Sequence, residues 1–278
     1  AWDYEGWLYH QQIRYTGYVR GIETSAAAAG CCRVARLRSR IGDALDTLPA
    51  SAFSRGVLRA LVIGDRSALP VGTRQLFRDT GTSHLMAISG LHIGLVAGLG
   101  FVVFAAIWRR IPPWVTRVPA PVAGAIVGLG LSLMYAVLAG FSLPTQRAMV
   151  MLSVFAIAIW RRRDSRPADV LATAAGGVLL WNPASVIAAG FWLSFGAVAA
   201  IMAVVSLSPG EPRWRAAVRT QLAVSLALWP ILNLFGLPVT VVAPFVNLLL
   251  IPLFGLVIVP SALLGAGLLM AAPDIGTV

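Results

Sequence analysis

LMAISGLHIGLVAGLGFVVFAAIW, residues 85–108, holds no carboxylate, no lysine and no arginine. A run of this kind suits a helix crossing a hydrocarbon core about 30 Å thick, which takes roughly 20 apolar residues. The same character recurs near 119–139, 145–160, 168–181, 185–207, 218–236 and 241–271. Of the 278 residues, 58% are hydrophobic and 12% charged, where a soluble domain carries about 25% charged residues. Too little polar surface remains to keep a globule in water. The pattern predicts an all-α fold, a polytopic transmembrane helical bundle of about seven to eight spans, some broken or short. The stretch at 168–181 is short, which predicts a helix shielded by protein or standing upright. The stretch at 241–271 is too long for one crossing. Pro244, Pro252 and Pro260 predict its division into a broken helix and a full span.

Ahead of the spans, residues 34–48 place Val34, Leu37, Ile41, Leu45 and Leu48 at helical spacing, with Arg33, Arg36, Arg38 and Arg40 between them. A second such pattern covers 52–63 through Phe53, Val57, Leu58, Leu61 and Val62. These are amphipathic helices suited to a membrane interface or to packing on a neighbouring domain. The chain therefore divides into 1–30, 31–80 and 81–278. The first part has no signal-peptide pattern and predicts that the sequence is an internal piece of a longer protein. The neighbouring Cys31 and Cys32 have no metal-site spacing and predict no easy disulfide.

The net charge of +11 comes from 22 basic residues, all arginine. They cluster in alternate connections: Arg109, Arg110 and Arg117; Arg161, Arg162, Arg163 and Arg166; Arg213, Arg215 and Arg219. The connections near 140–144, 182–184 and 237–240 carry none. Short cytoplasmic loops are the ones enriched in basic residues, so the arginine loops are expected inside and the N-terminal region outside.

Polar side chains in a span are costly and usually face a cavity or a partner. His84, Ser89 and His92 enter the first span, with Ser89 and His92 three apart on one face. They suit hydrogen bonds between helices; a metal site lacks further ligands nearby, and a serine–histidine hydrolase lacks an acidic orienting residue. Gly140-Phe141-Ser142-Leu143-Pro144-Thr145-Gln146-Arg147 reads as a break followed by a helix start, with Ser142 as cap and Pro144 in the first turn. Arg147 falls on the outer side, against the charge trend, and suits either snorkelling to headgroups or a phosphate contact. Phe191, Trp192, Ser194 and Phe195, with Gln221 and Asn247, form a third group. Its aromatics suit an interfacial belt or platforms for base stacking.

The ordered series Ala60-Leu61-Val62-Ile63-Gly64-Asp65-Arg66-Ser67, Phe77-Arg78-Asp79-Thr80-Gly81, His84 to His92, Pro144 to Ala148, Phe191 to Ala197, Leu226 to Pro230 and Asn247 to Pro252 with Pro260 resembles the ComEC competence family over about 55–265. The opening Trp2-Asp3-Tyr4 and Gly17-Tyr18-Val19 resemble the end of that family's extracytoplasmic OB-like domain. The resemblance implies a channel in the bacterial inner membrane that carries single-stranded DNA into the cytoplasm during natural transformation. It also implies an extracytoplasmic DNA receptor and a cytoplasmic ATP-driven motor as partners, beside the lipid bilayer. The oligomeric state stays open, a homo-oligomer included. The metal motifs of the family's metallo-β-lactamase-like domain do not occur in the sequence. A pore without enzyme activity, metal or cofactor is therefore expected.

On this reading Arg66, Arg74 and Arg78 form the outer entrance. His84, Ser89, His92 and Arg147 form the throat, Ser194 and Asn247 lie deeper, and Ser142 also belongs to the path. Binding would be sequence-blind and salt-sensitive, since backbone charge and stacking dominate. A secondary transporter for a small anion explains the proline-rich segments equally well, and an intramembrane hydrolase on Ser89 and His92 is the remaining alternative.

Overall fold

The computed structural model describes residues 33–161, 166–207 and 210–271. The expected domain remnant at 1–30, together with Cys31 and Cys32, lies outside the described residues.

Three helices precede the spans: α1 (Arg33–Asp46), α2 (Ala52–Val62) and α3 (Val71–Asp79). α1 and α2 form a hairpin. Ser51 caps α2 by accepting a hydrogen bond from the Ser54 amide at 3.1 Å. Arg59 ties the hairpin to the chain that follows, pairing with Asp46 and, at 2.8 Å, with Asp65. Ser67 donates to Asp65 through its hydroxyl at 2.6 Å and its amide at 2.9 Å. These bonds from Ser67, then Arg59, favour the ionised carboxylate and hold it at a pKa of about 2.

A short 3₁₀ turn, Ser83–Leu85, leads into the long helices. They are α4 (Gly90–Trp108), α5 (Ala120–Leu138), α6 (Leu143–Trp160), α7 (Pro167–Trp181), α8 (Ala189–Leu207), α9 (Arg213–Leu234), α10 (Ala243–Leu253) and α11 (Val259–Ala271). Among the described residues, six apolar segments are long enough to cross a membrane, counting Ala243–Ala271 as one. No strand occurs among the described residues. This is an integral membrane protein of helical, polytopic build. α7, with 15 residues, is the short helix foreseen at 168–181. At 1.5 Å per residue it reaches about 22 Å.

The expected division at Pro252 and Pro260 does not occur. Ala243–Ala271 is one helical segment in which the turn Phe254–Ile258 is π-helical. The Val259 amide donates to the Phe254 carbonyl, five residues back. Proline removes an amide donor, and a wider turn beside it re-pairs groups that an α-helix would strand. Pro144, by contrast, stands in the first turn of α6, as its place after a break implies.

α4, α5 and α6 make the tightest bundle. A Cβ on Gly128 of α5 would sit 2.4 Å from the Ala97 carbonyl of α4, so the two backbones touch where only glycine fits. Around this core α4 meets α6, α6 meets α8, α8 meets α9, and α9 meets α10. The π turn then comes back to α4, while α7 packs outside on α6 and α8.

The N-terminal hairpin does not simply lie on the membrane surface. Ile41 and Leu45 of α1, with Val62 and Ile63, bury against Ala262 and Ala266 of α11. Tyr135, near the end of α5, donates its hydroxyl to the Leu61 carbonyl at 2.6 Å. Arg38 donates to the Ile63 carbonyl at 3.0 Å. Val34, Leu37 and Phe53 stay exposed and leave an apolar strip free.

Candidate nucleic-acid path

The strongest local feature begins at a tight turn. Gly140 and Phe141 both take left-handed backbone conformations, φ 81° and 50°. Glycine adopts this at no steric cost, and Phe141 is held there by its own amide on the Ala136 carbonyl at 2.9 Å. The chain then restarts as α6 at Ser142, whose hydroxyl bonds that of the fully buried Thr145 at 2.9 Å. One half-turn later comes Arg147, 8% exposed. Its Nε donates to the Ser194 hydroxyl on α8 at 3.2 Å. A Cβ on Gly190 would lie 2.9 Å from the Arg147 guanidinium, so Gly190 is the gap through which that side chain reaches α8. Among the described residues no carboxylate pairs with Arg147; the ion pairs are those of Arg59 and of Arg219 with Glu211.

Two residues assigned separately to the path, Arg147 and Ser194, are thus brought into contact across 47 positions of sequence. Ser89 and His92 also meet, but not as a nucleophile and its base. The His92 Nδ1 accepts the Ser89 backbone amide at 3.2 Å, closing the first turn of α4 as a glutamate does in a capping box. The His92 ring is fully buried and its Nε2 has no partner. That geometry disfavours the hydrolase. His84 sits exposed in the 3₁₀ turn, with Nδ1 donating to the Gly81 carbonyl at 3.0 Å. Asn247 is 8% exposed, and its Oδ1 is buried without a partner. Ser142 is exposed beside the turn, and the side chains of Arg66 and Arg78 are exposed. The side chain of Arg74 lies outside the described residues.

The stacking assignment needs correction. Phe191 and Phe195 pack with Ala174 and Val178 of α7 in a buried cluster, and their rings contact each other at 4.7 Å. Burial against α7 leaves them no face for a base. Only Trp192 stays open, 44% exposed, and its indole donates to the Val186 carbonyl at 2.7 Å. No group of three metal-ligating side chains occurs among the described residues.

Sequence reading missed Gly190 and Tyr135 and gave Thr145 no role of its own. The four-residue step from Gly190 to Ser194 was the one available signal, since it sets a notch beside a hydroxyl on one helix face. A cavity of about 250 Å³ opens among α4, α5 and α6, lined by Gly94, Ala97, Gly98, Phe101, Leu152, Phe155 and other apolar residues. None of the polar residues above reaches it.

The family model described as competence protein matches residues 61–277. The chain is 40% identical over 213 residues to competence protein ComA of Neisseria gonorrhoeae, covering 76% of this chain and 30% of the relative. It is 34% identical over 193 residues to recombination protein 2 of Haemophilus influenzae, covering 69% and 24%. It is 28% identical over 289 residues to ComE operon protein 3 of Bacillus subtilis, covering 99% and 34%. The chain therefore spans about a quarter to a third of the length of these relatives. No solved structure matches it. With the matched region running through every long helix from α4 onward, the chain belongs to the competence protein family.

Proposed function

We propose that this chain is the membrane channel of a DNA-uptake protein, passing single-stranded DNA across the bacterial inner membrane during natural transformation. The observation that carries this reading is Arg147. A guanidinium withdrawn from water without a counter-charge is costly. An arriving phosphate offsets that cost with charge-assisted, bidentate hydrogen bonds. The competence and recombination names of the relatives favour DNA as the source of that phosphate. The arginine-rich connections favour an orientation with the Gly140–Phe141 turn and the N-terminal hairpin outside. A DNA receptor on that side and an ATP-driven motor in the cytoplasm complete the reading.

The test is uptake of labelled DNA by cells whose full-length protein carries Arg147→Ala or Arg147→Lys, with membrane insertion measured in parallel. Arg147→Ala should lose uptake while inserting normally. Arg147→Lys should keep part of it, since lysine supplies the charge without the fork. Normal uptake by a correctly inserted Arg147→Ala protein sinks the proposal.

A further inference from the structure

α9 is the least enclosed of the long helices: no residue of Trp214–Leu234 is buried. Yet it carries Gln221 and Ser225, half-buried side chains whose one hydrogen bond is to each other, at 3.4 Å. Polar groups at membrane depth call for water or a polar partner.

Their direction follows from the neighbours. Leu228 and Ile231 of α9 meet Gly196 of α8. At about 100° per residue, Gln221 lies about 20° and Ser225 about 60° from Leu228, on the side away from Ile231. Leu222, Leu226 and Trp229 occupy the exposed far side. On α8, Phe191 and Phe195 face α7, Gly196 faces α9, and the exposed Trp192 and Ala199 fill the arc between those two faces. Gly190 and Ser194, the seat of Arg147, lie on the opposite arc. α8 and α9 run antiparallel. With the handedness of each helix followed round, the Gly190–Ser194 arc and the Gln221–Ser225 strip border the same interior, the one enclosed by α4, α6, α8, α9 and α10. A dry, packed interior would bury this strip.

Depth also fits. At 1.5 Å per residue, Ser194 lies about 8 Å along α8 from its first residue, and Ser225 and Gln221 lie about 14 and 20 Å along α9 from its last. Those two helix ends adjoin, because Gly196 sits level with Leu228 and Ile231.

We infer that Gln221 and Ser225 continue the DNA route inward from Arg147 and Ser194, in a wet groove between α6, α8 and α9. This rests on the channel reading above. It places the route away from the apolar cavity among α4, α5 and α6. Gln221 and Ser225 carry no charge, so they hydrate the strand without trapping it, whereas Arg147 supplies the binding step at the mouth.

Cysteine labelling tests the inference in cells carrying the full-length protein. Cys31→Ser and Cys32→Ser are introduced, any other cysteines are replaced, and Ser225→Cys or Leu226→Cys is added. A membrane-impermeant methanethiosulfonate reagent should label Ser225→Cys and abolish DNA uptake. A single-stranded oligonucleotide should slow that labelling. Leu226→Cys, 65% exposed in the isolated chain, should face lipid and stay unlabelled. Labelling of Leu226→Cys with Ser225→Cys silent overturns the inference. So does labelling of Ser225→Cys that neither the oligonucleotide slows nor uptake registers. Lost uptake in Arg147→Ala leaves the channel standing in both cases, while normal uptake there removes it whatever Ser225→Cys does.

Discussion

At the scale of single residues, a charge proposed to bind, Arg147, stands apart from charges that hold the fold. Arg59 is of the second kind. Because Asp65 has a folded pKa of about 2, below the usual carboxylate value, its contribution is complete at neutral pH and above. It is lost as pH falls from about 4 through 2. Asp65→Asn should remove that acid dependence from hairpin protection, read by limited proteolysis across the same pH range. Gly190→Ala tests the other kind. A methyl group 2.9 Å from the guanidinium end can be relieved by moving Arg147. The protein should therefore insert normally but take up less DNA. Arg147 and Ser194, the two residues of the proposed path that touch, were legible singly, since polar groups in apolar spans stand out. Their contact was not, because nothing local links positions on different helices. Phe191 and Phe195 misled for a related reason: an aromatic beside a span end reads the same whether a neighbouring helix covers it or not.

Among the elements, apolar length located the long helices from α4 onward, and the short α7 was evident from its 15 residues. Proline was the weaker guide. Its ring forbids an amide bond but not a helix whose neighbouring turn widens, and only the folded chain reveals which remedy was used. The amphipathic pattern of α1 was likewise correct about its apolar face and silent about the occupant, which is α11 for Ile41 and Leu45. Glycine spacing carried more than the sequence reading took from it. Gly128→Val should separate α4 from α5, since the clash is with backbone and no side chain can yield. The expected result is a fall in folded, inserted protein, measured by detergent-extracted yield and thermal stability. Tyr135→Phe should be milder, costing about 1–3 kcal/mol for the stranded Leu61 carbonyl and loosening the hairpin first.

For the whole molecule, alternate arginine-rich connections predict one orientation. Reporter fusions after Arg110 and after Arg166 should report cytoplasm, and one after Gly236 should report the outer side. The opposite pattern would reverse the entry and exit of the path. Between its two faces the protein combines a tight, glycine-contacted unit, α4 to α6, with the loosely enclosed α9. In the proposed channel such a division would supply a fixed frame beside a side able to part. On the proposed reading, salt should weaken DNA capture at the outer face regardless of base sequence, because phosphate charge dominates such binding.

The widened turn at Phe254–Ile258 accommodates one residue more than an α-helix would use over the same rise. That surplus makes the register of everything beyond it adjustable by one step. Deleting Leu256 would therefore let the segment relax into plain α-helix over the same rise with Ala262 and Ala266 still facing Ile41 and Leu45, so the hairpin should stay docked.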